Sequence, residues 1–408
     1  MQTIDKYAEL IIKTGINIQE NQVLVIRSPI QCADFVRKCS KIAYATGARD
    51  VVINWVDEES KRIRYDMAPK DIFDEIPEWI RTFTVGYAEI DAAFLYIDAS
   101  DPELLKGVDP DIMSRESKAN SIALKPYYDL MMSNKIAWCI ASLPTEAWAK
   151  KVYPELSVEL AMDKLQEAIF SSTRADMDNP VKAWESHQAQ LDTKLSILNE
   201  TQFVSLKYKN QLGTDVTVGL PKEHIWFGGA DIHYGKGYKF VANIPTEEVY
   251  TMPETNSVNG RIVSSYPLRH NGVLIKDFWF EFKDGKVIDY GASENIETLT
   301  TLLDTDEGAK HLGEVALVPY DSPISNQNIL FYNTLFDENA SCHFALGRAY
   351  PICIKDGENM NENELKEKGA NTSLTHVDFM VGTEDLEIIG ITLDGIEVEI
   401  FKNGNFVI

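Results

Sequence analysis

Apolar residues follow two different rhythms along this chain, and the change between them near residue 200 limits what it can fold into. In the first half, helical spacing alternates with short apolar runs. Ile4 to Lys13 is spaced as a helix that stops before Gly15, and QVLVI at 22–26 reads as a short buried strand. Ala33 to Ala45 is helical again with Gly47 placed to end it, and DVVINWV at 50–56 is strand-like. The alternation continues through IPEWIRTF, DAAFLYID at 91–98, one long helix over roughly 110–133, and KIAWCIA at 135–141. Strands that alternate with helices predict an α/β layer with a mostly parallel sheet.

Residues 155–199 are helical in pattern, with Pro180 positioned to start the last segment. Beyond Thr201 the texture turns to β-branched and aromatic runs such as FVSLKYKN, VTVGLP and DFWFEFKDGKVIDYG, where Asp284 and Gly285 form a hairpin turn. One helix is expected over about Glu294 to Leu303 and another after His343. The acidic stretch at 355–369 reads as a solvated excursion. The expected fold is an α/β N-terminal domain with a helical linker over residues 1–195, followed by a β-rich α+β catalytic domain over 196–408. A chain of 408 residues, 44% of them hydrophobic, favours this division, because single cores stop growing near roughly 250–300 residues.

Charge narrows the function. With 63 acidic against 39 basic side chains, the formal charge of -24 repels phosphate backbones and anionic lipid, so neither nucleic acid nor a membrane surface is an expected partner. Five cysteines, odd in number and never spaced Cys-x-x-Cys, argue against a disulfide framework or a zinc knuckle. The N-terminal MQTIDKYAELIIKTG lacks a basic stretch followed by an apolar run, and no segment approaches the ~20 apolar residues of a membrane span. A cytoplasmic location is expected. No Gly-x-Gly-x-x-Gly follows the first strand, GKG at 235–237 lacks a Walker-type continuation, and neither Gly-x-Ser-x-Gly nor His-Glu-x-x-His occurs.

The second half instead scatters carboxylates and histidines through apolar or tight contexts. In NIPTEEVYTMPE at 243–254, Glu247 and Glu248 point opposite ways, so at most one faces a site. In LGEVALVP at 312–319, Glu314 shares a strand face with Ala316 and Val318 and needs a partner, since an uncompensated buried carboxylate costs several kcal/mol. In LFDENASCHFALGRAY at 335–350, Ser341 is placed to cap a helix carrying His343 to Tyr350, with Glu338 on the loop before it. In LTHVDFMVG at 374–382, alternation puts Leu374, His376, Asp378 and Met380 on one face and Thr375, Val377, Phe379 and Val381 on the other. Oxygen and imidazole donors without cysteine suit zinc, cobalt or manganese, and two ions ~3.5–4 Å apart can both generate hydroxide and polarise a carbonyl. The donor set points to hydrolysis.

These four segments, in this order, resemble the aminopeptidase T, aminopeptidase S and PepS family of cocatalytic metallopeptidases, as do YAELIIKTGINIQENQVLVI and FGGADIHYGKGYKF. The resemblance spans nearly the whole chain and is nearest to the aminopeptidase S and PepS members of Gram-positive bacteria. It implies metal ligands at Glu248, Glu314, Glu338, His343, His376 and Asp378, holding two divalent ions per chain, zinc, cobalt, manganese or magnesium. It also implies a tyrosine beside the metals, Tyr350, that stabilises the tetrahedral intermediate. Glu247, Glu254 and Asp337 have no such counterpart and stand as structural groups or partners of ligands. The activity implied is removal of one N-terminal residue from peptides with a free amine, with Glu314 or Glu248 as partner of the water, in a homodimer whose catalytic domain faces an enclosed cavity. A metal-dependent phosphoesterase is the rival enzyme, weakened because Arg348 is the one basic residue near the motifs. A non-catalytic cation-binding protein is the third reading.

Overall fold

The run QVLVI becomes strand Val23–Pro29, which pairs in parallel with Asp50–Val56 on one side and Ala93–Asp98 on the other. Trp138–Ser142 and then Asn243–Ile244 extend this sheet, again in parallel. Parallel neighbours require crossovers, and helices Ala33–Thr46, Glu58–Met67, Glu78–Glu89, Pro110–Ala123 and Lys125–Met132 lie in those connections. Gly47 ends the first of them at φ 111°, a left-handed conformation that glycine adopts without a Cβ clash. The single helix expected over 110–133 is two helices broken at Leu124. Pro126 has no N–H to return to the preceding turn, and its ring crowds the carbonyl four residues back.

This computed structural model describes residues 2–270 and 273–408, and the chain gathers into two units. The first comprises residues up to Ser186 together with Ala230–Pro245; the second comprises His187–Gly229 and Thr246–Ile408. Helices Val158–Ser172, N-capped by Ser157, and Pro180–Thr201 occupy the stretch read as helical from sequence. No helix among the described residues is long and apolar enough to cross a membrane.

The second unit holds an eight-stranded antiparallel sheet and a five-stranded one, so the β-rich reading of this half holds. In the larger sheet, Trp279–Lys283 and Lys286–Gly291 meet at Asp284 (φ 49°) and Gly285 (φ 80°), the double positive φ of a type I′ hairpin turn. The smaller sheet runs His376–Met380, His343–Gly347, Leu312–Leu317, Val249–Thr251 and Phe227–Gly228, all antiparallel.

The helix expected after His343 is therefore a strand. HFALG is short and apolar, and such a run does not reveal its period. Here both of its edges are occupied, by Leu312–Leu317 and by His376–Met380, and alternation sends Phe344 and Leu346 into the core. Ser341 is extended at φ -159° and caps no helix; its hydroxyl accepts from the Gly382 amide at 2.9 Å.

Val315, Leu317, Phe344, Leu346 and Phe379 fill one face of the small sheet and join the core of the second unit. The Phe379 ring meets Phe278, Phe280 and Phe344 at centroid separations of 5.9, 5.2 and 6.2 Å. Phe379 thus anchors the strand whose other face carries His376 and Asp378. Replacing Phe379 with alanine should cost about 3–5 kcal/mol, as for other buried phenylalanines, read as a lower urea midpoint in tryptophan fluorescence.

Candidate metal centre

Directly opposed residues in an antiparallel ladder share a face of the sheet. Glu314 opposes Ala345, Ala345 opposes Asp378, Gly347 opposes His376, and Ala316 opposes His343. Glu314, His343, His376 and Asp378 therefore all rise from the face opposite the phenylalanines. Glu248 immediately precedes Val249, whose partner Leu317 belongs to the core, so Glu248 falls on this same face. Strands lie about 4.8 Å apart, which leaves Glu314 and Asp378 two strand spacings from each other with only the Ala345 methyl between them. The carboxylates lean together over that small residue.

The donor atoms form two groups, Glu248 with Glu314 and His343, and Glu314 with His376 and Asp378, and within each they lie within 4.8 Å of one another. Glu314 belongs to both. Its Oε1 is 3.6 Å from His343 Nε2, and its Oε2 is 3.2 Å from His376 Nε2. Glu248 Oε2 stands 3.4 Å from His343 Nε2, and Asp378 Oδ1 stands 3.3 Å from His376 Nε2.

The far side of each imidazole is committed. His343 Nδ1 donates to the Ser341 carbonyl at 3.0 Å, and His376 Nδ1 donates to the Arg348 carbonyl at 2.7 Å. A carbonyl only accepts, so Nδ1 carries hydrogen in both rings, and loss of one proton leaves the Nε2 lone pair aimed at the carboxylates. Orientation and tautomer are those of metal-ligating histidines. The site face carries more acid than these imidazoles balance, an arrangement that divalent cations compensate.

A family model for the thermophilic metalloproteases (M29) matches residues 1–406. The chain belongs to the thermophilic metalloprotease (M29) family. It is 47% identical over 403 residues to aminopeptidase 2 of Geobacillus stearothermophilus, covering 99% of this chain and 97% of that one. It is 44% identical to aminopeptidase AmpS of Bacillus subtilis (strain 168), covering 99% and 98%. Among solved structures, wild-type AmpT from Thermus thermophilus superposes with a TM-score of 0.93 at 37% identity, covering 100% of this chain and 99% of that one.

The other residues singled out in the sequence of this M29 chain fall at different distances from the centre. Glu338, in the turn Glu338–Ala340, stands outside both donor groups, although the charges of Asp378 and Glu248 act on its carboxyl. The Tyr350 ring lies 4.9 Å from the His376 ring, at the rim of the acidic cluster. Glu247 points away from Glu248, as alternation requires, and its carboxylate is 3.6 Å from His187 Nε2. Glu254 packs against Gly369, and Asp337 binds backbone amides. No sequence signal marks the two backbone carbonyls that orient the histidines, because any residue supplies one.

Proton binding follows from this crowding. Burial would lower His343, but its hydrogen bond to Glu314 and the charges of Glu248 and Asp378 push it up to about 10. Burial would likewise lower His376, yet the hydrogen bonds of Asp378 and Glu314 push it up to about 11. Glu314 shows the reverse: burial raises it, and the two imidazoles together hold it down at about 2. Burial, aided by the charges of Glu314 and Asp378, drives Glu248 up to about 7 against the pull of His343.

Without ions, both histidines are thus protonated at pH 7, and coordination through Nε2 must expel those protons. Metal affinity of the metal-free protein should rise as pH is raised from about 6 toward the imidazole values near 10 and 11. Titration calorimetry with zinc at pH 7 in buffers of different ionisation enthalpy should report at least two protons released per chain, one from each imidazole, with a further contribution from the Glu248 and Glu338 carboxyls that burial pushes up. Heats that do not depend on the buffer would contradict this assignment.

Proposed function

We propose that this protein removes single N-terminal residues from peptides, using the centre built on Glu314. The observation that supports the reading best is the division of the Glu314 carboxylate between two imidazoles from two strands, which suits a ligand bridging two ions. His343 and Glu248 would hold one ion and His376 and Asp378 the other, with Glu314 common to both donor groups and Glu338 beside them. When bound, the ions acidify water and polarise the scissile carbonyl.

The chain's own groups do the rest. Tyr350, kept protonated by burial and by the negative charge of Glu314 and Asp378, donates its hydroxyl hydrogen toward the oxygen that gains charge during attack. Glu248, whose carboxyl burial drives up to about 7, takes the proton of the water and passes it to the leaving amine. The free α-ammonium of the substrate finds its counter-charge among the surplus carboxylates. Blocking that amine removes the charge that the site recognises.

Chelated protein with single divalent ions restored should cleave aminoacyl-anilides that have a free amine and leave their N-acetylated forms intact. Glu314→Ala should lower this activity by more than about 100-fold with the fold retained by circular dichroism, because loss of a mere outer partner of a ligand already costs roughly 10–100-fold. A fully active Glu314→Ala protein would overturn the reading.

The family resemblance also supports a homodimer, and Trp79 on helix Glu78–Glu89 and Ile90 at its C-terminal cap leave large apolar side chains in solvent. Sedimentation at micromolar concentration should give twice the chain mass. The cytoplasmic location is supported by five cysteines that are all free and buried, as a reducing compartment would leave them.

A further inference from the structure

A cavity of about 260 Å³ opens directly against Asp378, and its lining belongs entirely to the second unit. Met380 follows Asp378 by two positions on the same strand and so shares its face. Leu268 and Leu274, from the paired strands Leu268–His270 and Val273–Ile275, supply further apolar surface with Pro267 and Leu330. Arg269 is exposed at the rim and donates to the Tyr332 carbonyl at 3.4 Å.

The wall formed by residues 330–334 is held in a costly shape. Tyr332 has φ 55°, a left-handed conformation that bulky side chains rarely adopt. The buried carboxylate of Asp337 accepts from the Phe331 amide at 2.7 Å and from the Asn333 amide at 3.0 Å, on either side of that residue. Backbone in such a conformation persists only where its surroundings over-determine it, and it clusters at ligand clamps. Asp337 therefore holds the wall of a preformed cavity.

We infer that this cavity receives the side chain of the residue being released, and that Leu268, Leu274, Leu330 and Met380 select uncharged, aliphatic side chains there. The inference rests on the aminopeptidase reading. In an exopeptidase substrate, the first Cα is bonded to the carbon of the scissile carbonyl and to the α-ammonium nitrogen, both of which the metal centre holds. Its side chain leaves from a point anchored on two sides, and a cavity that shares Asp378 with the centre lies within one side chain's reach. The second residue's side chain branches beyond the scissile nitrogen. The volume is below the roughly 300–1,000 Å³ of pockets that enclose drug-sized ligands, and it suits a single side chain.

The test uses metal-loaded, full-length protein and aminoacyl-anilides of glycine, alanine, leucine, methionine and lysine, beside dipeptides with alanine first and a varied second residue. Wild type should favour leucyl and methionyl over glycyl anilide by about 10-fold or more in kcat/KM, the scale available to an apolar pocket. Leu274→Trp, which fills the cavity, should lower the leucyl-to-glycyl ratio by about 10-fold, mainly through KM, while the ranking of second residues stays as in wild type. Leu330→Ala, which widens the cavity, should shift preference toward larger side chains and keeps the test alive if the tryptophan variant does not fold. Variants that slow all anilides equally, or that reorder the second residue instead, overturn the inference while leaving the aminopeptidase reading intact. A wild-type protein that cleaves no free-amine substrate overturns both.

Discussion

The carboxylate of Glu314 faces one imidazole with each oxygen, and the second unit is organised around that shared contact. A buried carboxylate needs compensation worth several kcal/mol, and here two histidines on two different strands provide it. Neither strand could slip by one residue without turning its histidine into the phenylalanine layer. The ladder register and the donor geometry are therefore one constraint.

Small residues matter as much as charged ones. Ala345 stands between Glu314 and Asp378, Gly347 opposes His376, and Ala316 opposes His343, so the acids and imidazoles have room to converge. Gly347 is at φ 102°, and a Cβ there would come within 2.2 Å of the Thr375 carbonyl oxygen. The strand that reads as a plain apolar run is thus the spacer of the centre, with its larger side chains turned to the core. Crowding of charge is the cost of this arrangement, visible in imidazoles driven far up and a Glu314 carboxyl driven far down.

Much of this was legible in the chain because period-2 alternation is a local property. His376 and Asp378 share a face by spacing alone, as do Glu314 and Ala316, and Glu247 and Glu248 had to diverge. The parallel α/β half was legible for the same reason, its strands and crossover helices each carrying their own period. HFALG was not. A five-residue run that is apolar after its first histidine fits a helix or a buried strand equally well, and only the two flanking strands decide between them. The excursion of Ala230–Pro245 into the first unit left no compositional mark either, although its Asn243–Ile244 pairs with Trp138–Ser142 a hundred residues earlier. Asp337 looked like one more acid beside Glu338, because an acceptor of backbone amides has no signature beyond its own carboxyl.

By itself, the sequence determined which residue types are available and which face of each strand they occupy, since side-chain alternation needs no knowledge of what lies beside the strand. It also determined, through the long motifs around Glu248, Glu314, His343 and His376, the family to which the chain belongs. Only the tertiary structure decided that Glu314 sits between two histidines, that backbone carbonyls fix both imidazole tautomers, and that a cavity adjoins Asp378. Those are relations between strands far apart in the chain. They arise from hydrogen-bonded register and from the packing of Phe344 and Phe379 beneath it, forces that act through space and leave no local trace in the order of residues.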